Sequence, residues 1–282
     1  MDSLLSLFEF NPGIYVKELV NWLTVNFQGF FDALTVIINW IVFNIQALLA
    51  SIPWFLFILL IFLLGWRLKN IRSGLGYAVM LAAIGFIGLW SETIFTLSIV
   101  ITSVLISIII GIPVGIYAAY NQKLEAILKP LLDGMQTMPS FVYLIPAMIF
   151  FGLGTVPAVF ATIVYSTPPC VRLTCLAIKG VPEEMKEAAV AFGSSRWQAL
   201  IKVELPQALP TIMAGINQTT MMAMSMVVIS SMIGAKGLGE NVLIAINRTD
   251  IAMGFNSGIS IVFLAIIIDR VTQMISRKYE RV

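Results

Sequence analysis

EAAVAFGSSRWQALIKVELP, residues 187–206, is a charged segment that lies between two long apolar runs. Just before it, Pro182 and the acidic pair Glu183 and Glu184 predict the first turn of a helix, because proline and negative charge both favour helix N-termini. Gly193 predicts the end of that helix. The segment therefore begins with a short polar helix inside a chain that is otherwise largely apolar.

A second short helix is predicted from Arg196 to Glu204. Ser194 or Ser195 supplies the side-chain oxygen that caps its first turn, and Pro206 is expected to end it before the next apolar run. We therefore expect two short helices joined by a glycine turn and lying on one face of a membrane.

The composition sets the class of protein around this segment. Hydrophobic residues make up 59% of the 282 residues, charged residues 11%, and the mean hydropathy is +0.94. Such a chain cannot fold in water without large exposed apolar patches, so we predict an all-α polytopic membrane protein. A bilayer core of about 30 Å needs about 20 apolar residues per helix, and the uncharged runs supply about seven spanning helices.

Several classes of function are excluded at this stage. The net charge of +2 is too small to indicate binding of nucleic acid, and the absence of histidine removes the commonest metal ligand. Cys170 and Cys175 lie five residues apart, roughly 140° around a helix, so we interpret both as buried small side chains rather than a disulfide or metal pair.

The basic residues predict the topology. Arg67, Lys69 and Arg72 cluster in one short loop, which the positive-inside rule assigns to the cytoplasm. Spans are then predicted at about 52–68, 74–90, 94–120, two between 134 and 171, 209–233 and 258–275. This arrangement leaves only Lys17, Lys236 and Arg248 of the seventeen Lys and Arg residues outside. It places the N-terminus outside the cytoplasm, and the loop 179–206 and the C-terminus inside.

The N-terminal part differs from the rest. Residues 16–50 carry polar side chains at helical spacing, which predicts an amphipathic helix lying in the interface. A true spanning helix over 33–50 remains the alternative, because residues 33–66 hold no charge. We expect four units, namely an N-terminal segment (1–51), two accessory spanning helices (52–91), a transport domain (92–272) and a basic tail (273–282).

Close helix packing is predicted at Gly111 and Gly115, which flank Pro113 at the GxxxG spacing. Near the cytoplasmic boundary, Asp269, Arg270 and Arg172 are charged residues at the ends of spans. We interpret each as a charged side chain that extends to the membrane–water interface. The alternative interpretation is that they form an ion pair that gates transport.

The charged segment resembles a known motif. The spacing of Glu187-Ala188-Ala189, Gly193, Val203 and Leu205-Pro206 is similar to the EAA loop of permease subunits in binding-protein-dependent ABC importers, with Val203 where isoleucine is usual. The resemblance implies that the first helix of the loop is a coupling helix that docks on an ATPase subunit. The residues assigned to this coupling loop are Glu183, Glu184, Lys186, Glu187, Ala188, Ala189, Gly193, Arg196, Leu205 and Pro206.

A second resemblance narrows the family. Residues 131–174 and 232–255 are similar to permeases for glycine betaine and related quaternary ammonium osmoprotectants, except that Lys236 stands where glycine is common. The family implies a type I ABC importer transmembrane domain, a second copy of the chain, two ATP-binding subunits and an extracytoplasmic substrate-binding (lipo)protein, all at the cell membrane. No GxxxxGK[ST] phosphate loop is present, so ATP and Mg would belong to the ATPase and this chain would be neither an enzyme nor cofactor-bound.

The same resemblance suggests two further groups of residues. Because a trimethylammonium group favours aromatic faces, aromatic residues of this stretch are candidates for the translocation path, although each also fits plain helix packing. A docking loop for the binding protein is expected outside. The path candidates are Met138, Phe141, Tyr143 and Tyr165, with Phe150 and Phe151 as further aromatics, and the docking candidates are Lys236, Glu240, Arg248 and Asp250.

Three alternatives remain open. The first is an importer of the same architecture for choline, carnitine or an amino acid. The second is an ion-coupled secondary transporter, which would need acidic or unwound polar groups near the bilayer midplane, and the spans are nearly free of charge. The third is a membrane-integral enzyme, for which no nucleophile or metal constellation is present.

Overall fold

The computed structural model describes residues 12–279, with side chains described for residues 13–274. All regular elements in this part of the chain are helical, which confirms the all-α prediction. The first 11 residues of the predicted N-terminal segment and the end of the predicted basic tail lie outside the described residues. The α-helices are α1 (Pro12–Asn26), α2 (Gln28–Ser51), α3 (Trp54–Leu68), α4 (Ile71–Ile87), α5 (Trp90–Tyr120), α6 (Gln122–Thr137), α7 (Leu144–Phe151), α8 (Thr155–Lys179), α9 (Glu183–Ala191), α10 (Arg196–Ala199), α11 (Leu205–Ile229), α12 (Leu238–Arg248) and α13 (Ile251–Tyr279).

Five of the described helical stretches are long and apolar enough to cross a membrane, and a bent pair formed by α6 with Ser140–Phe151 is a sixth candidate. The accessory helices α3 and α4 are apolar but have only 15 and 17 residues. At 1.5 Å per residue each measures about 22–26 Å, somewhat less than a bilayer core of about 30 Å. The long stretches are Gln28–Ser51, Trp90–Tyr120, Thr155–Lys179, Arg196–Ile233 and Ile251–Met274.

Helices α5, α8 and α11 form the centre of the bundle. A Cβ atom on Gly111 would lie 2.8 Å from Sγ of Cys170, and one on Gly115 would lie 2.7 Å from Cβ of Thr174. Only glycine permits this approach of α5 to α8, which confirms the predicted GxxxG contact. Both cysteines are buried, as predicted.

The two ends of the bundle are defined by different contacts. At one end, the backbone N–H of Gly154 donates to the carbonyl of Ile233 (2.9 Å), and the N–H of Leu238 donates to Oγ1 of Thr96 (2.9 Å). We call this the far end. The opposite end carries residues 179–206 and is called the loop end.

The N-terminal helices lie against the far end. The single helix predicted over 16–50 is in fact two helices, α1 and α2. Phe31 in α2 stacks on Phe150 with ring centroids 4.5 Å apart, and Phe57, in the first turn of the following helix α3, contacts Trp90 with ring centroids 5.6 Å apart. Both contacts are at the far end, so α2 begins and ends on the same side of the bundle although its length would allow it to cross.

Helices α3 and α4 form a tight hairpin beside α13. A Cβ on Gly65 would lie 2.8 Å from Cα of Gly74, so the two helices approach closely there. Leu81 and Ile84 are buried in a cluster with Ile267 of α13. The hairpin therefore packs against the rest of the bundle through α13.

The predicted span after residue 134 is not a straight helix. Between α6 and the helical stretch Ser140–Phe151 the axis turns by 109°. Met138 is extended (ψ 134°) because proline disfavours a helical conformation in the residue before it, and Pro139 is also extended (ψ 131°). After Phe151 the chain turns, with Gly152 and Gly154 at φ +76° and +116°.

The prediction that Pro206 ends the second loop helix is wrong. Leu200–Glu204 form a π-helical turn, in which the N–H of Leu205 bonds to the carbonyl of Leu200. This wide turn shifts the hydrogen bonding so that a proline at the start of α11 leaves the helix intact. The outer segment expected to be a loop likewise contains a helix, α12.

Candidate functional site

The first helix of the loop, α9, forms where the acidic residues predicted it. Pro182 precedes it with φ −52°, and Glu183 and Glu184 lie in its first turn, where they offset the positive end of the helix dipole. Nζ of Lys186 lies 3.3 Å from Oε2 of Glu183, one turn earlier. This exposed pair adds little stability, and α9 therefore depends on its ends and its packing.

Gly193 ends α9 in the predicted way. Its φ is +79°, a conformation that glycine adopts at low cost. The N–H of Ser194 bonds to the carbonyl of Ala189 (3.0 Å), and the N–H of Gly193 bonds to that of Val190 (2.9 Å). These two bonds constitute a Schellman motif, so the chain reverses sharply toward α10.

The second helix begins with a capping box. Oγ of Ser195 accepts from the N–H of Gln198 (3.3 Å), and Oε1 of Gln198 accepts from the N–H of Ser195 (2.9 Å). Of the two serines predicted as caps, Ser195 is the one used. From Arg196 the helical path continues to Ile233, so the second helix of the loop is joined directly to the long central helix α11.

The base of the loop is apolar. Val181, Leu200, Ala208 and Ile212 are buried in one cluster, with Ile116 of α5 packed against it. Burial of each large side chain stabilises the fold by about 1.5–3 kcal/mol. This loop-base cluster joins the entry of the loop, its exit and the end of α5 in one unit.

The tip of the loop exposes charged and apolar side chains together. Of the predicted coupling residues, Ala189 is buried, Lys186 and Leu205 are half-buried, and the others are exposed. The residues that sequence reasoning missed are apolar. Phe192 is 91% exposed and Trp197 is 69% exposed, with Val190 and Ile201 beside them. The sequence did contain a signal for these residues, namely large apolar side chains next to a turn glycine in an otherwise polar loop. Exposed side chains of this kind form a surface suited to binding a partner protein.

The path candidates separate into two groups. Tyr143 and Tyr165 meet edge to face with ring centroids 5.9 Å apart, and Oη of Tyr143 donates to the carbonyl of Met135 across the bend. Met138 and Phe141 are exposed on the bend. The structure therefore brings only the two tyrosines together.

The remaining aromatics form a separate cluster. Phe150 and Phe151 contact Phe31 of α2, and Phe151 also contacts Phe160 with centroids 4.9 Å apart. These rings hold the N-terminal segment against α7 and α8. The contacts of Phe150 and Phe151 therefore fit helix packing rather than an aromatic site that binds substrate.

The four docking candidates surround α12 at the far end. Lys236 precedes this helix, Glu240 lies in its first turn and Arg248 in its last, so the two basic residues stand about 16–18 Å apart along it. Oδ1 of Asp250 accepts from the N–H of Met253 (3.0 Å) at the start of α13. Glu240 is half-buried and the other three are exposed.

The charged residues near the loop end are paired. Arg172 forms an ion pair with Asp133, a partner 39 residues away. Asp269 accepts from Nδ2 of Asn217 (3.2 Å) and from Gln273 (2.8 Å), and lies 3.8 Å from Nε of Arg270. Among the side chains that the structure describes, none forms a group of three or more potential metal ligands.

The family comparison matches this geometry. Residues 111–281 match the family described as "Binding-protein-dependent transport system inner membrane component". This match includes the loop, the α5–α8 contact and the α6–α7 bend. The family consists of transport components of the membrane, so the chain is a multi-pass membrane protein of a transport family.

Three relatives are similar over nearly the whole chain. A glycine betaine/carnitine transport permease protein of Listeria monocytogenes is 48% identical, over 94% of this chain and 95% of the relative. The glycine betaine/proline betaine permease protein ProW of Escherichia coli is 45% identical, over 93% and 74%. The glycine betaine permease protein OpuAB of Bacillus subtilis is 43% identical, over 93% of each chain.

A solved structure shares the fold. A chain of the MetNI methionine ABC transporter in an inward-facing conformation superposes with a TM-score of 0.60 at 22% identity, over 65% of this chain and 92% of that one. The predicted type I importer fold is confirmed by this match. The chain belongs to the family of binding-protein-dependent transport system inner membrane components.

Proposed function

We propose that this chain is the permease subunit of an ATP-driven importer that moves glycine betaine, or a related compatible solute, into the cytoplasm for osmoprotection. The two-helix loop at 183–204 carries the proposal. Its Schellman turn, capping box and exposed apolar tip form a rigid protruding surface, which a permease needs if a separate ATPase drives it. The names of the three relatives support a betaine as the substrate.

The loop would act as the coupling element. Two ATP-binding subunits, which hold ATP and Mg, would grip α9 and the side chains of Phe192 and Trp197. Their closure would displace the loop, and the continuous helix from Arg196 to Ile233 would carry the displacement into the bundle. The solute path would thereby open alternately to the two sides of the membrane, between this chain and a second copy of it.

The orientation follows from the charges. The loop end, with Lys179 and the loop itself, would face the cytoplasm, and the far end would face outward. The N-terminus and α2 would then lie at the outer surface, because Phe31 near the start of α2 and Phe57 in the first turn of α3 both contact the far end. This arrangement supports an interfacial rather than a spanning role for α2.

The far end would receive the binding protein. Lys236, Glu240, Arg248 and Asp250 surround α12 and present charges of both signs. A solute released there would pass toward the bend, where Tyr143 and Tyr165 offer aromatic faces to a trimethylammonium group. Most of the selectivity would belong to the binding protein.

Carnitine is the second candidate substrate. It shares the trimethylammonium group, and one relative carries it in its name beside glycine betaine. Choline and amino acids are the remaining solutes for this architecture. An ion-coupled mechanism is less well supported, because the carboxylate of Asp269, near the cytoplasmic boundary, already accepts hydrogen bonds from Asn217 and Gln273.

Reconstitution in proteoliposomes tests the proposal. The permease, its ATPase and its binding protein are assembled with ATP inside or absent, and uptake of labelled glycine betaine, carnitine and choline is compared. We expect glycine betaine uptake that requires both ATP and the binding protein. Uptake driven by a sodium or proton gradient without ATP would contradict the proposal, and ATP-driven uptake of a different solute alone would contradict the substrate.

A further inference from the structure

The corner between α5 and α6, residues 120–125, touches both stems of the loop. The chain enters the loop at Lys179 and leaves it at Glu204, and these two residues are bonded to Glu125 and Tyr120 respectively. The two contacts link segments 54 and 84 residues apart in the chain.

The exit stem is held by a buried carboxylate. Glu204 is 4% exposed, and its Oε2 accepts a hydrogen bond of 2.7 Å from Oη of Tyr120. Within the described part of the chain, Glu204 has no ion-pair partner. A buried carboxylate depends strongly on its donors, and charge-assisted bonds of this kind are roughly twice as strong as neutral ones.

The entry stem is held by an ion pair. Lys179, the last residue of α8, pairs with Glu125 in the first turn of α6. Both side chains are about one third exposed, so solvent screens the pair and its contribution is small. The exit-stem bond differs from this pair in that its acceptor, Glu204, is buried, although its donor Tyr120 is 57% exposed.

The corner is itself well defined. Oδ1 of Asn121 accepts from the N–H groups of Lys123 and Leu124, both at 3.1 Å, and so caps α6. Just before it, Ile116 and Ala119 pack against the loop-base cluster. A displacement of the stems would thus move the end of α5 and the start of α6 as one unit.

From the corner, α6 leads directly to the 109° bend and the contact of Tyr143 with Tyr165. We propose that Tyr120 and Glu204 are positioning residues that fasten the loop to the corner and so transmit its movement into α6 and the bend, in addition to the route through α11. The inference rests on the proposed coupling function of the loop.

Hydrogen exchange in the isolated permease tests the fastening. Tyr120→Phe removes the donor to Glu204, and Tyr117→Phe makes the same chemical change one turn earlier at a residue that is 62% exposed. We expect exchange of the amides of residues 200–204 to rise about tenfold in Tyr120→Phe, the scale of one hydrogen bond to a charged group, and to stay at the wild-type rate in Tyr117→Phe. Unchanged exchange in Tyr120→Phe would overturn the inference. This measurement needs neither the ATPase nor a solute.

The ratio of solute moved to ATP hydrolysed, measured in the assembled transporter, tests the transmission. In Tyr120→Phe the ratio should fall several-fold while the amount of ATPase bound stays normal. Glu204→Gln should lower the ratio less, because its amide oxygen still accepts the bond from Oη of Tyr120, and the double variant should be no worse than Tyr120→Phe alone. A normal ratio, or a lower yield of complex with a normal ratio, would indicate a structural role only and would overturn the inference. If the wild-type complex shows no ATP-driven uptake, the proposed function fails, and hydrogen exchange still decides whether the stems are fastened.

Discussion

The loop exit and the α6–α7 bend each place a proline in a helical path, and the two paths behave in opposite ways. Before Pro206, Leu205 keeps helical angles (φ −61°, ψ −46°), and the π turn carries the helix onward. Before Pro139, Met138 is extended (ψ 134°), and the axis turns by 109°. The conformation of the residue before the proline, rather than the proline itself, decides whether the helix continues.

The difference follows from what each segment packs against. Leu200 and Glu204 of the π turn are buried, so tertiary contacts hold the continuous path in place. Met138 and Phe141 at the bend are exposed, and the preference of the residue before proline prevails there. We expect the loop exit to transmit a displacement rigidly, and we expect the α6–α7 bend to change its angle.

The largest expected effect concerns the tip of the rigid segment. Phe192 is 91% exposed, so Phe192→Asp should leave the fold intact while placing a charge in the contact with the ATPase. Binding of the ATPase should weaken by roughly 30-fold, as for a loss of about 2 kcal/mol at an interface hot spot. Titrated co-purification measures this, and Phe192→Leu is the matched control. Equal binding by the aspartate and leucine variants would refute an apolar docking surface.

The next effect concerns the turn that shapes the rigid segment. Gly193→Val forces a β-branched residue to φ +79° at a cost of about 1–2 kcal/mol, so the Schellman turn should loosen and ATP-driven uptake should fall roughly tenfold. Gly134→Ala is the control, because that glycine is helical and its added Cβ meets nothing within 4 Å. If both variants lose uptake to the same degree, the turn has no special role.

The two prolines give the direct comparison. Pro139→Ala relieves the restriction on Met138 and should straighten the bend in part, lowering uptake a few-fold. Pro206→Ala should change uptake less than twofold, because the helix already continues through that position. Spin labels at the two ends of α6 and α7 would report the bend angle. A larger effect at Pro206 than at Pro139 would reverse the interpretation of the two segments.

The smallest effect concerns the hydrogen bond that spans the bend. Tyr143→Phe removes the bond from Oη to the carbonyl of Met135 and should lower the free energy of unfolding by about 1 kcal/mol. Tyr165→Phe keeps the aromatic pair and the Met135 bond, and should cost less. Thermal unfolding of the purified permease compares them, and equal losses would mean that the bond contributes nothing at the bend.

The local parts of the site could be predicted from sequence. Gly193, the Ser195 cap and the close contact at Gly111 and Gly115 follow from backbone conformation and side-chain size, which depend on a few neighbouring residues. Each of these features is present in the structure. The spacing of the EAA segment likewise identified the family from a short stretch.

The non-local parts could not be predicted. The pairs Lys179–Glu125 and Tyr120–Glu204 join residues 54 and 84 positions apart, and no local pattern specifies such partners. The bend at Met138 was not predicted, because the apolar run continues through it. The position of Met138 directly before a proline did indicate an interruption of the helix. Helix α12 was also readable in principle from its apolar spacing.

The most direct test of the central claim is a photo-crosslink from the tip of the loop in the assembled transporter. A photoreactive side chain at position 192 should crosslink to the ATPase subunit, and one at position 247, at the far end, should not. Crosslinks from position 192 to the external binding protein, or from position 247 to the ATPase, would contradict a loop that faces the cytoplasm and is driven by the ATPase.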